Sequence, residues 1–177
     1  MTKLKGDIAE QAVILQALQR GYGALRPVGD RMPYDIVFDV EGCLVKVQVK
    51  SAWKDTKGAS YVIDARRTKT NRREMVRDYY SESDFDFLIA YIEDFGIFYV
   101  IPFSVYESYG SSICLVAESR NTRLPRTWQY REAWHLIEQW ARRVETSDST
   151  PVKLGEALAA YAPMVIPSQV RHDDGKV

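Results

Sequence analysis

The stretch from Pro33 to Ser51, PYDIVFDVEGCLVKVQVKS, predicts a β-hairpin and constrains the fold more than any other part of the chain. Side chains alternate between apolar and polar over Ile36 to Val40 and over Cys43 to Val49. This period of two is expected of half-buried strands. Glu41 and Gly42 stand between the two runs, where they predict a tight turn.

A two-residue turn fixes the register of this hairpin. It pairs Val40 with Cys43, and counting outward then places Asp35 opposite Gln48, with Lys50 next on the same face. A carboxylate, an amide and an ammonium group are therefore expected to converge at the open end of the hairpin. The opposite face is predicted to be apolar, and it carries Ile36, Phe38, Val40, Cys43, Val45, Val47 and Val49.

A helix is predicted ahead of the hairpin, over residues 2–20, ended by Gly21 and Gly23. Apolar residues cover more than one of its faces, so we expect the helix to be covered on several sides. Glu10 lies among them, and a carboxylate beside so much apolar surface is costly unless it is paired or binds a metal. A partly exposed side chain that reaches water is the alternative.

These polar groups suit metal-dependent hydrolysis of a phosphodiester. Asp35 would bind a hard divalent ion, most naturally Mg²⁺, which prefers oxygen ligands. Gln48 would add its amide oxygen and Val49 its backbone carbonyl. Lys50 would orient or deprotonate the nucleophile, or neutralise developing charge. Glu10 would bind the metal directly or through water.

The most basic stretch of the chain follows the hairpin. Six cations fall within twelve residues and repel one another unless an anion is near, although a solvated surface loop is the alternative. Threonine and asparagine between them suit phosphate and base-edge hydrogen bonds, so we expect nucleic-acid contact. The residues assigned to this surface are Arg66, Arg67, Lys69, Thr70, Asn71, Arg72 and Arg73, with Arg31 before the hairpin. A second basic loop carries Arg120, Arg123 and Arg126.

Further elements are predicted along the chain. Residues 61–64 are expected to form a third strand that continues the hairpin as a meander. Residues 85–92 and 97–101 form apolar runs typical of central strands buried on both faces. A short helix is expected at 103–109 and an amphipathic helix at 128–144.

The amino-acid composition limits the classes of protein to which the chain can belong. The 177 residues are 46% hydrophobic with zero formal net charge, so a DNA-binding chain must segregate its basic residues. No apolar run is long enough to span a membrane, and we expect a cytoplasmic protein with no membrane partner. Cys43 and Cys114 are predicted to be buried free thiols.

At this point the sequence resembles the PD-(D/E)XK nucleases. Residues 33–35 match the first half of the motif, residues 48–50 the second, and Glu10 the acid of the first helix. The resemblance continues in further segments of the chain: KGDIAEQAV, LRPVGDRMPYDIVFDVEG, VQVKSAW, RRTKTNRR, FDFLIAYI and YREAWHLIEQWA. Together these segments are most similar to the homing endonucleases of bacterial group I introns. Gln48 stands where many members carry an acid, so the site lacks one negative charge.

The resemblance implies an α/β fold, a restriction-endonuclease-like core with a central mixed sheet flanked by helices. It implies a site-specific endonuclease of double-stranded DNA that uses Mg²⁺, with Mn²⁺ as a substitute, and acts as a homodimer or homotetramer. Residues 1–145 would form the nuclease domain with its DNA-reading loops, and 146–177 a linker and tail of unknown role. Glu10, Asp35, Gln48 and Lys50 would be catalytic.

Two other functions remain open from the sequence. A structure-selective nuclease, such as a Holliday-junction resolvase, would share the core and the metal site but would cut branched DNA regardless of sequence. A non-catalytic DNA-binding module would keep the fold without the chemistry. The mixture of threonine and asparagine with arginine in the basic stretch favours sequence reading.

Overall fold

The computed structural model describes residues 2–29, 31–56, 58, 60–70, 75–118 and 124–147, which all belong to the compact unit Met1–Ser147. Its helices are α1 (Thr2–Gln19), α2 (Phe103–Tyr106) and α3 (His135–Ser147). The strands are β1 (Gly23–Leu25), β2 (Ile36–Val40), β3 (Cys43–Ser51), β4 (Trp53–Lys54), β5 (Tyr61–Asp64), β6 (Arg67–Thr70), β7 (Met75–Asp78), β8 (Phe87–Ile92), β9 (Ile97–Pro102) and β10 (Ser112–Leu115).

The predicted hairpin forms as β2 and β3 in the expected register, with Val40 paired to Cys43. Both turn residues have positive φ, 54° at Glu41 and 92° at Gly42, as a type I′ turn requires. The Gly42 N–H donates a hydrogen bond of 2.9 Å to the Asp39 carboxylate, which braces the turn. The turn conformation and the alternation of apolar with polar residues together therefore fix which side chains lie on each face of the hairpin.

The hairpin lies within a five-stranded mixed sheet of order β1-β2-β3-β8-β9, in which β3 and β8 are parallel and the other neighbours antiparallel. The predicted α/β fold with a central mixed sheet is confirmed. Helices α1 and α3 cover one face. A small sheet of order β10-β5-β4 and the short helix α2 cover the other face.

Two predictions about the strands are corrected. Residues 61–64 do form a strand, but β5 belongs to the small sheet and does not continue the hairpin, because β8 occupies the edge of β3. Strand β8 is central as predicted, whereas β9 is the last strand of its sheet in the described part of the chain. Glu132 covers that edge: its N–H donates to the Phe98 carbonyl, and its side chain accepts from the Phe98 N–H, both at 2.8 Å.

This contact at the β9 edge also explains why the last helix starts later than predicted. Residues 128–130 form a short 3₁₀ turn, and α3 begins only at His135. Between them Arg131 bridges Tyr99, and Glu132 adopts a left-handed backbone with φ of 53°. Pairing with the sheet edge thus replaces the first turn of the expected helix.

The prediction that helix α1 is covered on several sides is wrong within the described residues. Its buried face consists of Ala9, Val13 and Ala17, which pack against the sheet. Two apolar side chains on the opposite face, Leu4 and Leu15, are 65% and 55% exposed. The cysteine prediction is also partly wrong: both thiols are free, but Cys43 is half-buried and Cys114 exposed. No helix in the described ranges is long and apolar enough to cross a membrane.

Phe38 of β2 anchors the core between the sheet and the helices. It is fully buried, and its ring centroid lies 5.9 Å from that of Tyr22 and 6.5 Å from that of Trp134. We expect Phe38→Ala to lower the free energy of unfolding by about 3–5 kcal/mol, because it removes a large apolar group and leaves a cavity. Urea denaturation measures this change. Leu44→Ala, at a position 60% exposed in the same hairpin, is the control, and an equal decrease in both variants would contradict this packing.

Candidate metal centre

Asp35 lies at the open end of the hairpin, immediately before β2. Its N–H donates to the Val47 carbonyl at 3.0 Å, which continues the hairpin ladder by one residue. Its Oδ2 atom accepts hydrogen bonds from the Val49 N–H at 2.8 Å and from Gln48 Nε2 at 2.6 Å. The structure therefore brings Asp35 and Gln48 together, as the register predicts.

Gln48 is buried, and its amide lies between two of the predicted metal ligands. Nε2 donates both to Asp35 Oδ2 and, at 3.2 Å, to the Val49 carbonyl oxygen. A carboxylate oxygen and a carbonyl oxygen thus converge on one electropositive group. In this arrangement the donor side of the amide faces Asp35. Ligation through Oε1 would require a half-turn of the amide about its terminal bond, which exchanges N and O.

Lys50 follows on the same strand and is half-buried. Its Nζ donates to the Arg66 carbonyl oxygen at 3.0 Å and lies 5.3 Å from the centroid of the Tyr80 ring. Burial lowers the pKa of Lys50, and the negative charges of Asp35 and Asp64 oppose that shift. The ammonium is therefore held at a defined point beside Asp35 without a hydrogen bond to it.

The electrostatics of Asp35 favour a cation at this point. Burial raises the pKa of Asp35, because the carboxylate loses hydration. The Val49 N–H and the Lys50 charge oppose the shift. A metal ion bound at Asp35 would stabilise the ionised carboxylate directly. Its oxygen and the Val49 carbonyl are the hard ligands that Mg²⁺ prefers, so the donor set fits such an ion.

Glu10 is placed differently from the expectation that it completes the metal site. Its carboxylate forms an ion pair with Arg26, at the end of the short strand β1. The positive charge of Arg26 also acts to lower the pKa of Asp35, so this guanidinium links the two acids electrostatically. Among the described residues no group of three or more His, Cys, Asp and Glu side chains is arranged to hold a metal.

Four arginines of the predicted DNA-contacting set have side chains that the structure describes. Arg66 pairs with Asp64, with Nε 3.0 Å from Oδ1 and Nη2 3.2 Å from Oδ2. Arg67 starts β6, and its Nη2 lies 3.5 Å from the carbonyl oxygen of Arg31. Arg31 is exposed. Arg126 lies over the Tyr109 ring at 5.7 Å.

Part of the predicted DNA-contacting set lies in a β-ribbon. Strands β6 and β7 pair antiparallel in a separate two-stranded sheet, and the backbone of Lys69 and Thr70 belongs to β6. The remaining residues of the predicted set lie outside the described residues: Asn71, Arg72, Arg73, Arg120 and Arg123.

Sequence reasoning missed three residues beside the site: Tyr80, Asp64 and Arg26. Tyr80 is buried, and burial raises its pKa, with the Asp35 charge adding to the shift. Asp64 accepts the guanidinium of Arg66. Nothing in the periodicity pointed to Tyr80 or Arg26, whereas the alternation of Asp64 with Arg66 at a strand end was visible in the sequence.

The arrangement defines a class of site. A half-buried carboxylate just before β2, a carbonyl oxygen of β3 that converges with it on the Gln48 amide, and the half-buried Lys50 next in sequence are the parts of a metal-assisted phosphodiesterase centre. A family profile described as "PD-(D/E)XK endonuclease" matches residues 1–137. The chain belongs to this family and is a DNA endonuclease. Nucleases of the family generally depend on a divalent metal.

A solved structure supports this assignment. The chain is similar to a bacterial homing endonuclease, I-Ssp6803I, with 58% sequence identity and a TM-score of 0.75. The similarity covers 80% of this chain and 96% of the other. A search of curated proteins gave no significant match.

Proposed function

We propose that this chain is a site-specific endonuclease of the homing type, which hydrolyses phosphodiester bonds in a double-stranded DNA target with Mg²⁺. The observation that carries the proposal is the convergence of Asp35 Oδ2 and the Val49 carbonyl on one point beside the Lys50 ammonium. Mn²⁺ is expected to substitute, since it suits the same oxygen ligands. The similarity to a homing endonuclease at 58% identity favours the homing type.

Each residue of the site has a role in this proposal. Asp35, the Val49 carbonyl and the turned amide of Gln48 would hold the ion, which polarises the scissile phosphate and lowers the pKa of a bound water. Lys50 would orient the attacking water and stabilise charge that develops on the phosphate. Glu10 would act through Arg26 or through water, because its carboxylate is already paired.

The basic surface would hold the DNA. The major groove admits a two-stranded β-ribbon, and β6 with β7 forms such a ribbon next to Lys50. We assign Arg66, Arg67, Lys69, Thr70, Asn71, Arg72 and Arg73 to this ribbon contact. Arg31, Arg120, Arg123 and Arg126 would hold backbone phosphates. This ribbon favours sequence reading over recognition of a DNA junction by shape.

Two copies of the site would allow both strands of a duplex to be cut in one binding event, so we propose that the chain acts as a homodimer or homotetramer. Leu4, Leu15 and Leu18 support an interface on α1: they lie on one stripe, and they are 65%, 55% and 56% exposed. Residues 1–145 would form the nuclease domain, and 146–177 a linker and tail. We place the enzyme in the cytoplasm, with access to cellular DNA.

The function is tested by incubating the protein and Mg²⁺ with a library of randomised duplexes and, separately, with four-way DNA junctions. Sequencing of the cut ends identifies any preferred site. We expect one extended sequence to recur among cut duplexes, with no cleavage of junctions that lack it. Cleavage of junctions of any sequence would favour a resolvase. Absence of cleavage on both substrates would favour a non-catalytic DNA-binding module.

Replacing Gln48 with glutamate is expected to strengthen metal binding by about tenfold and to retain some cleavage. The change removes a hydrogen bond of 2.6 Å to Asp35 and places a second negative charge beside it. At an effective dielectric constant near 20, a unit charge about 4 Å away contributes on the order of 4 kcal/mol per unit charge of the cation before desolvation. Calorimetric titration with Mn²⁺ measures the affinity.

The control for this substitution is Gln16→Glu, on α1 and in contact with Gln19. It adds the same charge at an exposed hydrogen bond on α1 and should leave Mn²⁺ affinity unchanged. A folded Gln48→Glu variant with unchanged affinity would contradict the placement of Gln48 at the ion. A folded variant without any cleavage would show that the donor side of the amide is required.

A further inference from the structure

The hydrogen bond made by Lys50 leads outside the metal centre. Its ammonium donates to the backbone carbonyl of Arg66, at the base of the basic β-ribbon, over a distance of 3.0 Å. The Tyr80 ring covers the ammonium at 5.3 Å. The direction in which Lys50 points therefore depends on where the peptide of Arg66 is held.

The peptide of Arg66 is held chiefly by Asp64, the last residue of β5. Asp64 Oδ1 accepts both the backbone N–H and the Nε–H of Arg66, each at 3.0 Å, and Oδ2 accepts Nη2 at 3.2 Å. The intervening residue is fixed as well. The Ala65 N–H donates to the Ser111 carbonyl at 3.0 Å, and the Tyr106 hydroxyl donates to the Ala65 carbonyl at 2.6 Å.

These hydrogen bonds attach residues 65 and 66 to Asp64, to Ser111 and to Tyr106 of α2. Asp64 and Arg66 are both only partly exposed, with 27% of each side chain accessible, so their pairing is more constrained than a surface ion pair. If Asp64 served only to end β5, its hydrogen bond with the Arg66 backbone N–H would be sufficient. The two guanidinium contacts additionally fix how the base of the ribbon is oriented toward Lys50.

We propose that Asp64 is a positioning residue of the nuclease site: by holding Arg66 it sets the backbone carbonyl that orients Lys50. This inference rests on the proposed endonuclease function. Arg66 also connects DNA binding to catalysis. It directly precedes the ribbon that would contact DNA, and its carbonyl accepts the hydrogen bond from the Lys50 ammonium. A small displacement of the Arg66 peptide displaces Lys50.

The test compares Asp64→Ala and Asp64→Asn in single-turnover cleavage of the duplex recovered from the library, with DNA affinity measured without Mg²⁺. For Asp64→Ala we expect a cleavage rate about 10 to 100-fold lower, because misplacement of a catalytic group by about 1 Å has effects of this size. DNA affinity should not fall, because the substitution removes a negative charge beside the ribbon, and the melting temperature should stay close to the wild-type value. Asp64→Asn keeps an oxygen acceptor for the Arg66 N–H and should recover most of the rate.

Asp55→Ala is the matched control, since Asp55 also accepts a backbone N–H from a following residue, at 2.7 Å from Thr56, away from the site. It should cleave at the wild-type rate. If Asp64→Ala does not fold, Tyr106→Phe replaces it. That variant removes only the hydroxyl contact to the Ala65 carbonyl and should show a smaller decrease in the same direction.

The proposal is overturned if Asp64→Ala cleaves at the wild-type rate, if its DNA affinity falls in proportion to its rate, or if Asp64→Asn is no better than Asp64→Ala. An unchanged rate in the Tyr106→Phe substitute would also overturn it. Lys50→Ala separates this result from failure of the function. If Lys50→Ala is inactive and Asp64→Ala is not impaired, only the positioning role is wrong. If Lys50→Ala cleaves normally, the assigned site itself is wrong.

Discussion

Replacing Asp35 with alanine is expected to lower Mg²⁺-dependent cleavage by about 10³-fold or more, equivalent to roughly 4 kcal/mol of transition-state stabilisation. Asp35 supplies the carboxylate oxygen on which the Gln48 amide and the Val49 N–H converge, so the substitution removes the charged ligand of the proposed ion. DNA binding should persist because the basic ribbon is unaffected. Single-turnover cleavage and a binding titration on the same duplex measure the two effects.

The control for Asp35→Ala is Asp39→Ala in the same hairpin. Asp39 is exposed and braces the turn through Gly42, at the end of the hairpin away from Asp35. Asp35→Asn accompanies both, since it retains an oxygen that accepts hydrogen bonds but removes the charge. Equal cleavage by wild type and by a folded Asp35→Asn variant would show that the carboxylate is not a metal ligand in the reaction.

Neutralising the basic ribbon is expected to weaken DNA binding by orders of magnitude and to flatten its salt dependence. Each DNA phosphate that the protein no longer neutralises should reduce the slope of log affinity against log salt concentration by about 0.9. The variant replaces Arg66, Arg67, Arg72 and Arg73 with glutamine. Binding titrations at several salt concentrations, without Mg²⁺, measure the slope.

Single substitutions refine this prediction. The Arg66 guanidinium pairs with Asp64, so Arg66→Gln should change the slope less than Arg67→Gln. A control variant neutralises four exposed cations elsewhere, namely Lys3, Lys5, Lys54 and Arg142. Both variants lower the net charge equally. An unchanged slope in the ribbon variant, or an equal change in the control, would exclude the ribbon from the DNA interface.

The sequence was sufficient to predict the hairpin and its polar end. Alternation over β2 and β3 leaves one register in which the apolar side chains share a face, and the Glu41-Gly42 turn imposes the same register. Asp35 and Gln48 follow from that register by counting. The family resemblance then identified the nuclease fold, because segments along most of the chain matched in order.

Other contacts depend on tertiary packing that no local pattern encodes. Glu10 pairs with Arg26 because a short strand beside the hairpin brings that guanidinium to α1, and strand β1 is too short to show a period. The start of α3 shifts because Glu132 completes the hydrogen bonds of an exposed strand edge. The contact of Lys50 with the Arg66 carbonyl joins β3 to the segment between β5 and β6, so hairpin register alone did not predict it.

The orientation of the Gln48 amide is a separate case. The sequence indicates an oxygen ligand, whereas in the described structure the amide presents Nε2 to Asp35 at 2.6 Å. A carboxylate oxygen accepts a hydrogen bond from the donor side of an amide and not from its oxygen. The predicted ligand role of Gln48 therefore requires that the amide turns when a metal ion binds.

The proposed mechanism depends above all on a divalent-metal site defined by Asp35 Oδ2 and the Val49 carbonyl. Anomalous diffraction from crystals soaked in Mn²⁺ would locate a metal ion bound there. We predict an anomalous peak beside the Asp35 carboxylate, with Oε1 rather than Nε2 of Gln48 toward the ion, and no such peak in Asp35→Ala crystals. A peak located only elsewhere, or none at a Mn²⁺ concentration that supports cleavage, would contradict this metal site.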